Sequence, residues 1–289
     1  MNVARSFPEL GELEARLEHP VLLLGAVNLE MDLVAELFEL VQTLEGGDRL
    51  GVLIYCRGGV VNAARRVALL LRERFESITF IAPHYCASAG TLTALSGDHI
   101  IASPASIFSP IDPLLSGTGE DGGPAAVSSQ DVRLFREMAQ VWFHLSEDEL
   151  RAHALTTMAE AMFPTTLTAF YRTTLEVKTI AHELLAQQQR ERSADERDEI
   201  VDRLLFHYHS HNYAITAQEL TGLGLSVSLE ESTAPVSWAL ARKLGASLGA
   251  GARKSEDEGW MDTVIATRDR VRWRRVGHPG LGFTWEGGR

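Results

Sequence analysis

The chain contains little cysteine and has no long apolar run. Only two cysteines occur, Cys56 and Cys86, and each lies in an apolar run that ends at a loop, so we expect buried free thiols rather than a structural disulfide. No segment reaches about 18 uninterrupted apolar residues, so we expect no membrane-spanning helix. The first twenty residues carry four glutamates and lack an apolar core of signal-peptide length, which makes the cytoplasm the expected compartment.

Positive charge is also scarce. The chain has 27 Lys and Arg against 39 Asp and Glu, a net charge of −12, so we do not expect long-range attraction to nucleic acid or anionic lipid. One basic stretch, 268–275, surrounds Trp273, and we interpret it as a strand with one solvated face. Only three of the cations are lysines, and Lys178 is the single lysine in the middle third of the chain.

What the sequence does have is an alternation of buried strands and amphipathic helices. Apolar residues make up 45% and charged residues 23%, which is the composition of a globular protein whose core needs no metal or disulfide. Continuous apolar runs predict strands that are buried on both faces, and apolar residues at helical spacing lie between them. This order predicts an α/β fold with a mostly parallel sheet. The runs that carry it are Pro20–Val27, Met31–Leu44, Arg49–Cys56, Val60–Phe75 and Ser77–Ala82.

The second half of the chain follows a different pattern. Ser116–Ser129 is rich in glycine and serine and predicts a mobile loop. From there to Tyr208 the spacing is helical, with a break near Pro164. The expected organisation is 1–115 as the first part of the α/β core, 116–210 as a loop and helical segment, 211–232 as the end of the core, and 233–289 as a C-terminal helix and β-ribbon.

Two turns built from small residues follow buried strands, and they are the candidates for chemistry. The first is Cys56-Arg57-Gly58-Gly59-Val60, and the second is Cys86-Ala87-Ser88-Ala89-Gly90-Thr91. A serine at the start of a helix faces unpaired backbone N–H groups, which stabilise an oxyanion. A Gly-Gly turn on the neighbouring strand brings a second N–H close, because no Cβ blocks the approach. Either turn alone is a weak signal, since a serine there is usually a cap.

Taken together, five motifs in order resemble the Clp-type peptidase and crotonase superfamily. The closer likeness is to the branch of the serine dehydrogenase proteinases and signal peptide peptidase A. The resemblance covers residues 20–115 well and 205–228 moderately. Its motifs are the Gly58-Gly59 turn, Ser88 in A-S-A-G-T, Asp98-His99-Ile100-Ile101-Ala102, Ser109-Pro110-Ile111-Asp112-Pro113 (close to that branch's G-P-I-D-P), and His211-Asn212-Tyr213-Ala214-Ile215-Thr216.

The resemblance implies a fold, a reaction and a site. The fold would be a Clp/crotonase-like spiral of β-β-α units, and the reaction would be peptide-bond hydrolysis through an acyl-enzyme on Ser88. The amides of Gly59 and Ala89 would form the oxyanion hole, and no cofactor or metal is implied. The substrate would be a peptide or an unfolded protein, and the helical middle segment would make the contacts of a homo-oligomer.

The general base is where the resemblance departs from the family. Clp-type peptidases have a histidine in the segment that here reads Ser109-Pro110-Ile111-Asp112, and their triad acid falls near Asn212. A Ser-His-Asp triad in the Clp arrangement is therefore not expected. Two substitutes stay open: Lys178, which must be neutral to act as a base, and His211, in the loop before the last core helix.

Other readings of these residues are less well supported. Asp112 could orient a base, but Pro-Ile-Asp-Pro favours a rigid turn whose carboxylate bonds backbone amides. The alternating histidines that end at His211 do not predict a metal site, because this stretch ends a helix. The missing family histidine and acid leave a catalytically inactive scaffold as the alternative function. Acyl-CoA chemistry of the crotonase kind would need a carboxylate where Ser88 stands.

Overall fold

The computed structural model of the chain describes residues 7–45, 47–118, 124–148, 150, 156, 158, 163–253, 255, 258–277 and 282–288. The helices are α1 Glu9–Leu17, α2 Leu33–Val41, α3 Val61–Arg74, α4 Ala89–Ala94, α5 Ser129–Phe143, α6 Pro164–Leu185, α7 Ala194–Phe206, α8 Ala217–Gly222 and α9 Ala234–Ser247. The strands are β1 Val21–Ala26, β2 Arg49–Cys56, β3 Ser77–Ala82, β4 Tyr85–Cys86, β5 His99–Ala102, β6 Ile107–Phe108, β7 Leu114–Thr118, β8 Pro124–Ser128, β9 Val227–Leu229, β10 Trp260–Ala266, β11 Val271–Val276 and β12 Phe283–Gly288.

One mixed sheet forms the centre of the protein, in the order β12-β11-β10-β1-β2-β3-β5-β9. Within this order β1, β2, β3, β5 and β9 pair in parallel. Strands β10, β11 and β12 continue the sheet from β1 with antiparallel pairs. All six residues of β1 are buried, as are seven of the eight in β2. Continuous burial is what a parallel strand covered on both faces requires. The prediction of an α/β fold with a mostly parallel core is confirmed.

Helices cover both faces of this sheet. On one face, α2, α3, α4, α6 and α7 pack on β1 to β3 through residues such as Leu37, Val67 and Leu204. On the other face, α1 and α9 enclose a smaller core around Leu10 and Leu240. Each such apolar side chain contributes roughly 1.5–3 kcal/mol on burial. Among the described helices, none is both long enough and apolar enough to cross a lipid bilayer.

Two very short strands form a side row next to the main sheet, and this row positions the candidate site. β4 pairs in parallel with the end of β2, Cys56 opposite Cys86, and β6 pairs with β4. The long strands β3 and β5 are thus each followed by a two-residue strand in the side row. Because β2 and β4 run in parallel and end side by side, the turn after β2 lies against the turn after β4.

The segment predicted to be a mobile loop, Ser116–Ser129, is largely ordered, and that prediction is wrong. β7 and β8 form an antiparallel pair with Leu114 opposite Ser128, and residues 119–123 between them lie outside the described residues. Main-chain hydrogen bonds hold such a pair whatever the side chains are, so glycine and serine content did not exclude strands here. The helical stretch that follows begins with a capping box at Ser128, and α6 begins at Pro164.

The C-terminal ribbon is an extension of the main sheet. β10 pairs with β1, so the sheet continues beyond the strands that carry the motifs. In β11 the guanidinium of Arg274 is buried and bonds both carboxylate oxygens of Asp262, at 2.8 and 2.9 Å. It also bonds Asp32, before α2, at 2.7 Å, and Trp285 of β12 donates to the same carboxylate. The solvated face predicted for this stretch is therefore wrong at Arg274, whose charge is neutralised inside the protein.

Candidate active site

Ser88 lies at a strained turn between β4 and α4. Its backbone has φ 51° and ψ −111°, a conformation that a residue with a Cβ rarely adopts. The N–H of Ser88 donates to the hydroxyl of Ser109 at 2.8 Å, which fixes the turn from the side of β6. Serine nucleophiles of α/β hydrolases stand on a strand-to-helix turn of this strained kind.

Small and buried side chains allow the helix after Ser88 to pack closely on β2. A Cβ added at Gly90 would stand 2.9 Å from the Cβ of Cys56, so only glycine permits this approach. Cys56 and Cys86 are buried free thiols, which confirms that prediction. Burial raises the pKa of Cys56 to about 12, so its thiol stays protonated and unreactive near neutral pH.

The Gly58-Gly59 turn faces Ser88 from the end of β2. Leu29 donates to the carbonyl of Gly58 at 2.9 Å, and Val60 donates to the carbonyl of Leu29 at 2.8 Å. Gly59 has φ +136°, and a Cβ there would stand 2.2 Å from the nitrogen of Leu29, so the turn requires glycine. Within the described residues, the N–H groups of Gly59 and Ala89 donate no hydrogen bond. Both are available to a ligand oxygen.

His211 is held by a buried carboxylate. Its Nδ1 lies 2.9 Å from Oδ1 of Asp112, and the Asp112 side chain is 1% exposed. The other carboxylate oxygen accepts from the hydroxyl of Ser128, at the end of β8. The tautomer that donates from Nδ1 to this carboxylate has its acceptor at Nε2. The interpretation of Asp112 as a ligand of backbone amides is wrong, since its oxygens bond two side chains.

These groups line one cleft of about 460 Å³. Ser88, Gly59, Ala89, Asp112 and His211 all contribute to its wall. The rest of the lining is mostly apolar and comes from the start of α3, from α4 and from the start of β7: Val60, Val61, Leu92 and Leu114. A cleft with a few polar groups on an apolar wall is the usual form of a small-molecule or peptide site.

The structure separates the two candidate bases. Lys178 lies on α6 and does not line this cleft, and its Nζ bonds Asp202 at 2.9 Å and Asp198 at 3.3 Å. The hydrogen bond that Lys178 donates to Asp202 raises the pKa of Lys178, and Asp198 adds to the effect. A cation stabilised in this way is the opposite of a neutral lysine base. Of the two residues, His211 alone shares the cleft with Ser88.

The strain at Ser88 gives a testable result. We expect Ser88→Gly to unfold with a free energy about 1 kcal/mol higher than Ser88→Ala, because glycine adopts the φ of this turn without steric cost. Urea unfolding of the two variants, followed by circular dichroism, measures the difference. An alanine variant as stable as the glycine variant, or more so, would show that the turn is not strained.

The chain is thus a mixed α/β protein with a serine at a strained strand-to-helix turn, next to a Gly-Gly turn. Residues 38–128 match the family of ClpP-like SDH-type serine proteinases. The matched segment contains both turns, Ser88 and Asp112, and it confirms the resemblance found in the sequence. The match covers less than half of the chain.

Other proteins and solved structures are similar to parts of the chain. Two uncharacterized proteins of Methanocaldococcus jannaschii are similar to the chain: MJ1495, 38% identical over 22% of each chain, and MJ0137, 26% identical over 62% of this chain and 53% of the relative. The chain thus spans about half, or less, of the curated relatives it matches. A mutant of the 1510-N membrane-bound stomatin-specific protease in complex with a substrate peptide aligns with TM-score 0.42 and 13% identity, over 71% of this chain and 73% of that one. ClpP1 from Listeria monocytogenes aligns with TM-score 0.41 and 13% identity, over 74% and 94%.

Proposed function

We propose that the protein is a serine peptidase in which Ser88 is the nucleophile, His211 the general base and Asp112 the residue that orients the base. The observation that carries the proposal is the His211–Asp112 pair, which lines the same cleft as Ser88 at its strained turn. A serine beside a base that is itself oriented by a third group is the recurring arrangement of nucleophilic catalysis. The match of residues 38–128 to a serine proteinase family supports it.

The reaction follows from the hydrogen-bonding state of these groups. Nε2 of His211 takes the hydroxyl proton as Oγ of Ser88 attacks the carbonyl carbon of the substrate. The free N–H groups of Gly59 and Ala89 stabilise the oxyanion, and one such donor typically contributes about 10²–10³ in rate. His211 then gives its proton to the leaving amine. Water hydrolyses the acyl-enzyme by the same steps, and the hydroxyl of Ser88 is restored.

The ring of His211 must move closer to Oγ of Ser88 when substrate binds. In the described part of the chain, no hydrogen bond joins Oγ of Ser88 to the ring of His211. Catalytic contacts are often loose in the free enzyme and tighten in the complex. The ring is held through Nδ1 alone, so rotation about its side-chain bonds and small shifts of the loop before α8 can bring Nε2 to the serine.

The form of the cleft suits a peptide chain. Its apolar wall of Val60, Val61, Leu92 and Leu114 accepts an uncharged side chain, and its volume of about 460 Å³ holds a few residues at most. We propose short peptides or unfolded protein segments as substrates, because a folded protein surface does not enter such a cleft.

We also propose that the protein works as a homo-oligomer. Large apolar side chains are exposed near the end of α5 and on α6, among them Trp142 (74% exposed), Phe163 (81%) and Tyr171 (67%). Aromatic residues exposed together are typical of subunit contacts. Sedimentation velocity should give a species larger than the 31.8 kDa monomer, and Trp142→Glu should reduce its size. A monomer at all protein concentrations would contradict this part of the proposal.

Covalent labelling tests the function itself. A fluorophosphonate probe is expected to add once per chain and to map to Ser88 in peptide mass spectra, because only an activated serine displaces the fluoride. The Ser88→Ala variant serves as the control and should stay unlabelled. A folded wild-type chain that the probe does not label would contradict the proposal and leave the inactive scaffold as the function.

A further inference from the structure

An exposed arginine stands beside the candidate nucleophile. Arg57 is the last residue before the Gly58-Gly59 turn, and it lines the same cleft as Ser88. Its guanidinium lies over the ring of Tyr85, 5.2 Å from the ring centroid, and reaches the hydroxyl of Tyr55 at 3.4 Å. Contacts with two aromatic side chains therefore restrain the guanidinium of a residue that lines the cleft.

No carboxylate neutralises this cation. Within the described residues, Arg57 makes no ion pair, whereas Arg65 bonds Glu183 and Arg72 bonds Asp98. Of the described residues that line the cleft, Arg57 is the only lysine or arginine and Asp112 the only carboxylate, and Asp112 is engaged by His211 and Ser128.

A cluster of aromatic rings packs next to the guanidinium of Arg57. The rings of Tyr55 and Tyr85 meet edge to face at 5.8 Å, and His84 packs against Tyr85 at 4.3 Å and against Trp238 at 5.6 Å. A guanidinium on an aromatic face keeps its N–H edge free for a planar anion. Because the rings restrict its motion before binding, less side-chain entropy is lost when an anion binds.

We propose that Arg57 is a specificity-determining residue that binds a carboxylate of the substrate close to the scissile bond. The carboxylate is either an Asp or Glu side chain or the C-terminus of a peptide, because a guanidinium binds both in the same bidentate way. The inference rests on the proposed function only in so far as the cleft holds peptides. Arg57 and Gly59 line the same cleft, so we expect the bound carboxylate to lie near the reacting carbonyl.

Binding to the full-length Ser88→Ala chain tests this without any chemistry. Isothermal titration compares three short peptides of one sequence: one with a central Glu and both ends blocked, one with Gln in its place and both ends blocked, and the Gln peptide with a free C-terminal carboxylate. At least one carboxylate peptide is expected to bind about tenfold more tightly than the blocked Gln peptide. The preference should weaken with added salt. The peptide that gains affinity identifies the source of the carboxylate.

Two further variants assign the preference to Arg57. In the Ser88→Ala background, Arg57→Gln should bind all three peptides equally, while Arg49→Gln, an exposed arginine at the opposite end of β2, should keep the preference. The proposal is overturned if neither carboxylate peptide binds better than the blocked Gln peptide, or if the preference survives Arg57→Gln. A wild-type chain that does not react with fluorophosphonate contradicts the peptidase function instead, so the two failures are distinguishable.

Discussion

Replacing Ser88 with alanine is expected to lower kcat/KM for a peptide substrate by at least about 10⁴-fold. In the proposed mechanism, Oγ of Ser88 is the only protein atom that forms a covalent bond to the substrate. Alanine removes this oxygen and leaves the cleft otherwise unchanged. The buried thiols of Cys56 and Cys86 cannot replace it, because burial keeps both protonated. Initial rates of release of a fluorescent leaving group from a short peptide measure the loss.

A matched serine substitution separates this loss from damage to the fold. Ser247→Ala alters a serine at the end of α9, a helix that packs on the opposite face of the sheet, and its rate should equal that of the wild type. Both variants should keep the wild-type circular dichroism spectrum. If Ser88→Ala retains more than a few per cent of the rate, another group is the nucleophile.

Replacing His211 with asparagine is expected to lower kcat by about 10³-fold, with little change in KM. The amide nitrogen of asparagine takes the place of Nδ1 and keeps the bond to Asp112, so the buried carboxylate is not left unpaired. What the variant lacks is Nε2, the proposed proton acceptor. Steady-state kinetics on the same peptide measure both constants.

The control for this variant is the other candidate base. Lys178→Gln removes a cation that is paired with Asp198 and Asp202 on the helix surface, so its rate should stay within about twofold of the wild type. The reverse result, a large loss for Lys178→Gln and a small one for His211→Asn, would assign the base to the lysine and contradict the mechanism.

The sequence predicted the sheet and the two turns because these depend on neighbouring residues. Continuous apolar runs such as 21–26 and 50–56 form strands buried on both faces wherever they occur in an α/β fold. The Gly58-Gly59 turn comes directly after such a strand, and Ser88 comes after the two-residue strand β4. The residues that define each turn are thus adjacent in the chain, so a sequence pattern can reveal them.

The sequence offered His211 as one of two candidate bases, but it could not pair His211 with Asp112, because the two residues meet only in the folded protein. His211 and Asp112 are 99 residues apart, and neither has a local pattern that sets it apart from an ordinary loop residue. One signal was present: the segment where Clp-type peptidases have their histidine carries Asp112, and His211 stands beside the position of their acid. We infer that the two roles have exchanged places, which explains why a triad in the usual order was missing.

For a related reason, the sequence did not predict the β7–β8 hairpin or the pairing of the C-terminal ribbon with β1. The pairing of β7 with β8 and of β10 with β1 depends on main-chain hydrogen bonds between segments, and β1 and β10 are more than 230 residues apart. The ion pairs of Arg274 with Asp262 and Asp32 likewise become visible only when three segments meet. A basic run in the sequence carries no information about which of its side chains will be buried.

A crystal structure of the wild-type chain after reaction with a fluorophosphonate tests the proposed mechanism most directly. We predict a bond from Oγ of Ser88 to phosphorus, with the phosphonyl oxygen 2.7–3.1 Å from the nitrogens of Gly59 and Ala89. We also predict Nε2 of His211 within hydrogen-bond reach of Oγ. An adduct whose oxygen points away from both amides, or a His211 ring that remains out of reach, would contradict the mechanism.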